Sequence, residues 1–209
     1  MMRVNGKYHF LMKGENLMNK NQKELFCWNY FCTLCDMLKN TMQYLDHSDP
    51  YNLKCNSYEF QKIIMLSSME FENIAKQLCL LTNPTLNLKK MNIISITKEI
   101  LTNYPNMNKT TIMNDYNVYS PLKNWQIKKD SSGNEYVSGL DWWDSYNNIK
   151  HNSYDNYKES NLKNAINSLA SLMILEINYI KITTGKNNIM NDKPCSYFIN
   201  PFQDSILLV

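Results

Sequence analysis

The sequence predicts an all-α fold: an up-and-down bundle of four to five helices with a loop or small β-hairpin insertion. Three observations lead there. Apolar residues recur at three- and four-residue steps through several long stretches. Only 5 glycines and 6 prolines interrupt 209 residues, so forced helix breaks are few. A composition of 44% hydrophobic and 12% aromatic residues suffices for a sizeable core and excludes a disordered chain.

The first helix is expected over Lys20 to Leu45. Leu25, Trp28, Phe31, Cys32, Cys35, Leu38, Met42 and Leu45 form its stripe, and Asp46-His47-Ser48-Asp49-Pro50 stops it. Residues 1–19 before it show no firm periodicity and read as a weakly structured start. A second helix is expected over Cys55 to Leu81, with Ser57 as N-cap and Phe60, Ile63, Ile64, Ser67, Phe71, Ile74, Leu78 and Leu81 as its apolar face. Leu86 to Tyr104 carries a shorter, ragged stripe rich in β-branched residues and ends at Pro105.

The character changes over residues 105–139, where Asn, Tyr, Ser and Gly accumulate. Trp125-Gln126-Ile127-Lys128 and Glu135-Tyr136-Val137 flank the turn Ser131-Ser132-Gly133-Asn134, a hairpin signal. Insertions of this length in a compact domain are functional elements or lids. Leu140 to Lys150 then reads as a short helix, and Ser160 to Ile182 as the last long one. The stripe of the latter is Leu162, Ala165, Ile166, Leu169, Leu172, Met173, Ile177 and Ile180, and Gly185 follows in a capping position. The bundle therefore occupies residues 20–185. The tail, residues 186–209, is expected to dock on it, with Ile206-Leu207-Leu208-Val209 as its apolar anchor.

A net charge of +3 is too small to announce a nucleic-acid surface. The basic residues are lysines apart from Arg3, and lysine lacks the planar fork that grips phosphate. The abundance of Asn, Lys, Ile and Tyr resembles an AT-rich coding bias. No secretory signal is evident at the start, and no run of 18 apolar residues occurs. The best candidate, Ala165 to Ile182, contains Ser168, Ser171, Glu176, Asn178 and Lys181. A cytoplasmic protein with reduced thiols and no membrane association is expected. Cys32-Thr33-Leu34-Cys35 matches C-x-x-C, but no second ligand pair completes a zinc site. The motif lies mid-helix on an apolar face and reads as core cysteines. Neither metal nor cofactor is expected.

The chemistry-bearing stretch is Trp142 to His151. Asn147, Lys150 and His151 share a helical face at i, i+3 and i+4. A neutral imidazole can act as general base, and Asn or Lys can bond phosphate oxygens. The bland alternative is a polar cluster that fixes helix register. Trp142, Trp143 and Tyr146 are either core anchors or a stacking platform for bases. Glu70 follows the apolar stripe of the second helix closely. It either faces inward, with Lys150 or His151 as structural partner, or stays in solvent together with Glu72.

Trp143, Tyr146-Asn147 and Ile149-Lys150-His151, followed by Ala165, Leu169-Ala170 and Leu172, resemble a pattern of bacterial members of the HEPN superfamily, the higher-eukaryote and prokaryote nucleotide-binding domain. Ser68-Met69-Glu70-Phe71-Glu72, Lys76-Gln77-Leu78-Cys79, Pro121-Leu122 and Trp125 resemble its preceding pieces, so the likeness runs from Phe60 to Tyr179. It implies a bundle of four or five helices, often dimeric, acting in RNA cleavage, toxin–antitoxin pairs or phage defence. The family's catalytic signature is an arginine, an adjacent polar residue and a histidine four to six residues on. No arginine precedes His151 here. Arg3 and His9 satisfy the spacing but lie outside the bundle, a coincidence. The expectation is thus a HEPN-like interaction or RNA-associated module without catalysis, a homodimer in a defence or mobile-element setting. The alternative is a metal-independent endoribonuclease using His151 with Asn147 and Lys150.

Overall fold

The structure is a computed structural model that describes residues 20–185 and 195–198. Arg3, His9 and Ile206-Leu207-Leu208-Val209 lie outside the described residues. The described chain is mostly helical. Five α-helices pack with two small antiparallel hairpins: α1 (Lys20–Thr41), α2 (Tyr58–Thr82), α3 (Ile93–Asn103), β1 (Ile112–Met113), β2 (Val118–Tyr119), β3 (Gln126–Lys129), β4 (Glu135–Ser138), α4 (Asp141–His151) and α5 (Leu162–Thr184).

Three boundaries differ from the expected ones by three residues or more, each for a local reason. α1 ends at Thr41 rather than Leu45 because the chain tightens there into i→i−3 bonds, Met42 N–H to Lys39 C=O and Tyr44 N–H to Thr41 C=O. α2 starts at Tyr58 rather than Cys55 because Asn56 pairs with Asn161 in an isolated antiparallel bridge. Ser57 caps α2 by accepting from the Phe60 N–H at 3.1 Å. α3 starts only at Ile93, where Asn92 and Ser95 form a reciprocal capping box; residues Leu88–Lys90 are a 3-10 turn instead.

The insertion holds two hairpins, one more than the sequence suggests. In β3–β4, Gln126 pairs with Ser138 and Lys129 with Glu135. The Asp130 carboxylate closes the turn by accepting from the Ser132 and Asn134 N–H groups. Gly139 follows at φ +86°, and a Cβ there would meet the Asn124 carbonyl oxygen at 2.1 Å. Only glycine allows the hairpin to close this tightly before α4 begins. Gly185 ends α5 at φ +67° in the left-handed region.

The bridge at Asn56 and Asn161 sets the core. With Leu162 N–H bonded to Cys55 C=O and Ser57 N–H to Ser160 C=O, α2 and α5 leave the same level side by side. They form the most extensive helix pair. Ser67 and Ser168 let the two backbones approach, and their hydroxyls bond at 2.8 Å across the seam. α5 has the length and composition of a membrane-crossing helix, yet 78% of its apolar window is buried inside the protein. That is the pattern of a core helix.

Residues 195–198 pack on α1. Tyr197 and Phe198 are buried, and the Cys195 and Cys35 sulfurs lie 3.0 Å apart. Cys32 and Cys35 are buried in the core. His47 holds the segment: its ring nitrogens bond Thr41 Oγ1 at 2.8 Å and Tyr197 Oη at 3.0 Å. Burial keeps the imidazole below its ordinary value, against a weaker opposing pull from Asp46. The unfolded chain, with its pKa of about 6.5, protonates His47 first as pH falls. Stability contributed by the neutral ring is therefore present above about pH 6.5 and lost on acidification through the lower folded value. The urea midpoint should fall between pH 7 and pH 5, and the difference between the wild type and His47→Gln should shrink over that range. A pH-independent difference would rule the titration out.

Candidate functional site

α4 is built with two opposite faces. Asp141 and Asp144 sit in its first turn and Lys150 in its last, each sign matched to the helix dipole, with His151 the final residue. The inner face carries Trp142, Trp143, Ser145, Tyr146 and Ile149, all buried. Asn147 is half-buried, while Lys150 and His151 are exposed.

The aromatic face is fully used by the core. Phe71 of α2 is the hub, with ring centroids 4.9 Å from Trp142, 5.9 Å from Trp125 and 6.0 Å from Trp143. Trp143 stacks tilted on Tyr146 at 5.1 Å. The Trp142 indole N–H donates to Pro121 C=O at 3.3 Å, and the Trp125 indole N–H to Thr97 Oγ1 at 2.9 Å. With Trp142 at 2%, Trp143 at 6% and Tyr146 at 3% exposure, these rings offer no open face for a base. The stacking-platform expectation thus meets rings already packed on one another.

Asn147, Lys150 and His151 do share one side of α4. The Lys150 ammonium lies 5.4 Å from the Tyr146 ring centroid, a cation–π contact that covers the ring's outer edge. Asn164 of α5 binds the helix from within, its amide donating to Ser145 Oγ at 2.9 Å. Neither Lys150 nor His151 is the partner of Glu70. Glu70 accepts instead from the Asn73 amide at 3.1 Å, one turn along its own helix. The two residues proposed to meet Glu70 sit at the exposed C-terminal turn of α4, and the helices that do meet it are α1 and α5.

That second meeting point was not foreseen. Cys27, Glu70 and Glu176 bring a sulfur and two carboxylate oxygens within 4.8 Å of one another. Their convergence follows from the topology. Cys27 lies 14 residues before the end of α1 at Thr41, Glu70 12 after Tyr58, and Glu176 14 after Leu162. At 1.5 Å per residue each is about 18–21 Å from the same end of the protein. A cleft of about 200 Å³ lined by Phe26, Cys27, Glu70, Asn73, Ile74, Gln77 and Tyr179 opens beside them.

Glu176 is fully buried, and neither of its carboxyl oxygens has a hydrogen-bond partner among the described residues. Burial pushes the Glu176 carboxyl well above the usual carboxylate range, and the charge of Glu70 adds to the rise. Burial likewise pushes the Cys27 thiol up to about 12, helped by Glu176 and Glu70. The sequence did hold a signal. Glu176 stands three residues after Met173 and four after Leu172, on the apolar stripe itself. A carboxylate at such a position has to be buried.

No family model, no curated protein and no solved structure matches this chain.

Proposed function

We propose that this chain is a HEPN-like, up-and-down helical bundle without catalysis, a dimeric cytoplasmic module that associates with a partner or with RNA in a defence or mobile-element setting. The observation that carries the reading is the burial of Trp142, Trp143 and Tyr146 around Phe71. The stretch that resembles the family's site is spent on holding α2, α4 and the second hairpin together. Lys150 has an architectural role of its own as a cation at the C-terminus of α4. The signature arginine has no counterpart, since Arg3 is the only one in the chain. Lysine at 150 supplies charge without the bidentate geometry. RNA, where it binds, would meet the outer side of α4 at Asn147, Lys150 and His151, through phosphates rather than stacked bases.

One observation favours the enzymatic alternative: Lys150 and His151 are exposed, so His151 is free to serve as general base or acid with Asn147 and Lys150 on the phosphate. Labelled RNA incubated with the purified protein in EDTA, beside His151→Ala, separates the two. The non-catalytic reading expects the same background in both, and a gel shift that weakens with salt if RNA is bound. Cleavage that disappears in His151→Ala would overturn it in favour of a metal-independent endoribonuclease.

A further inference from the structure

Three donor atoms of differing hardness converge from three helices, and one of them belongs to a fully buried acid with no hydrogen-bond partner among the described residues. Glu176 is 0% exposed, and both its carboxyl oxygens lack a hydrogen bond among the described residues. A buried polar group left unmatched is destabilising, so its retention calls for a ligand. The only groups close to it in this cluster are the Cys27 sulfur and a Glu70 oxygen, within 4.8 Å. Neither is a cation that would hold the carboxylate form of Glu176.

We propose that Cys27, Glu70 and Glu176 form a binding site for a divalent metal ion of the zinc class. The donor set argues the identity. A thiolate selects a borderline or soft ion over magnesium or calcium, which take six or more oxygens. One sulfur and two carboxylate oxygens make three of four tetrahedral positions. The fourth faces the cleft lined by Phe26, Asn73, Gln77 and Tyr179, which gives the ion an entry path and a water ligand. With Zn–S of about 2.3 Å and Zn–O of about 2.0–2.2 Å, tetrahedral donors stand roughly 3.3–3.6 Å apart. From a spread of up to 4.8 Å the closure needs shifts of about 1 Å, within the reach of side-chain torsions. The thiol and carboxyl protons leave as the ion enters. The two carboxylates and the thiolate together carry one negative charge more than the ion neutralises, which leaves room for water rather than hydroxide in the fourth position.

The test uses the full-length chain and metal ions alone. Metal-free protein is titrated with Co2+, whose thiolate charge-transfer band reports a bound cysteine, and with Zn2+ against a chromogenic chelator. One ion per chain is expected, with the band present in the wild type and absent in Cys27→Ser. Zinc affinity should drop more than about 100-fold in Glu176→Gln, because losing even an outer-shell partner of a metal ligand costs 10–100-fold. Circular dichroism checks that both variants are folded, and Glu70→Gln, at a half-buried position, is a third variant that leaves the core untouched. Cys195→Ser, which removes a thiol beside Cys35, eight residues along α1 from Cys27, should keep both band and affinity. The proposal is overturned by a wild type that takes up no stoichiometric ion. It is equally overturned by uptake that survives Cys27→Ser and Glu176→Gln, or by a band lost only in Cys195→Ser.

Discussion

Phe71→Ala is expected to destabilise the protein by about 3–5 kcal/mol, the range for truncating a buried aromatic. Phe71 is 0% exposed and contacts Trp125, Trp142 and Trp143 at once. Three indoles cannot collapse into the space it leaves, since each is held by other contacts. Two of their N–H groups are fixed on Pro121 C=O and Thr97 Oγ1. The site therefore sits at the upper end of the cavity cost. Whole domains are stable by about 5–15 kcal/mol, so this one residue carries a large share. Urea denaturation at pH 7 should show a midpoint lower by about 1–3 M at an unchanged slope. Met69→Ala, two residues away and exposed, should stay within about 0.5 kcal/mol. If Phe71→Ala costs no more than Met69→Ala, the aromatic cluster is not what joins α2 to α4.

The same residues show what the sequence could and could not reveal. The periodic stripes of α2 and α5 were legible because a helix that buries one face writes that face at three- and four-residue steps. Ser57 and Gly185 were legible because caps are local chemistry. The lost turn of α2 was not, because the bridge that extends Asn56 involves Asn161, about a hundred residues on. The cluster on α4 was legible as a shared face, and its aromatic residues as either core anchors or a stacking platform. Trp142 and Trp143 point about 100° apart on a helix, and only the placement of Phe71 and Pro121 decides that both go inward. The expectation of no metal came from searching for ligand pairs close in sequence. Cys27, Glu70 and Glu176 are separated by 43 and 106 positions and meet only because α1, α2 and α5 share a level. Spacing rules cannot see ligands contributed one per helix.

Glu176→Met is expected to raise stability in EDTA by about 1–3 kcal/mol, although it removes a residue from the most buried part of the protein. Methionine fills a similar volume and leaves no unmatched oxygen. In the metal-free wild type the carboxyl forgoes its hydrogen bonds to water and gains none from the described residues in return. Replacing buried charged groups by apolar ones of the same size is stabilising in other proteins by a similar amount. Glu176→Ala, in contrast, should gain less or lose, because the cavity term offsets the desolvation relieved. The sign reverses when zinc is present. An ion that binds only the folded wild type adds RT ln(1 + [Zn]/Kd), about 2.7 kcal/mol at a hundredfold excess over Kd. Glu176→Met, with the site broken, should gain nothing from it. Thermal unfolding in EDTA and in saturating Zn2+ should thus place the two proteins in opposite orders. A Glu176→Met protein less stable than wild type in EDTA would mean that the carboxyl is already matched. Parallel responses to zinc would mean that Glu176 is not a ligand. A crossing of the two curves is the outcome that ties the cost of this buried acid to a binding role, since a residue kept only for packing has no reason to carry a carboxyl group.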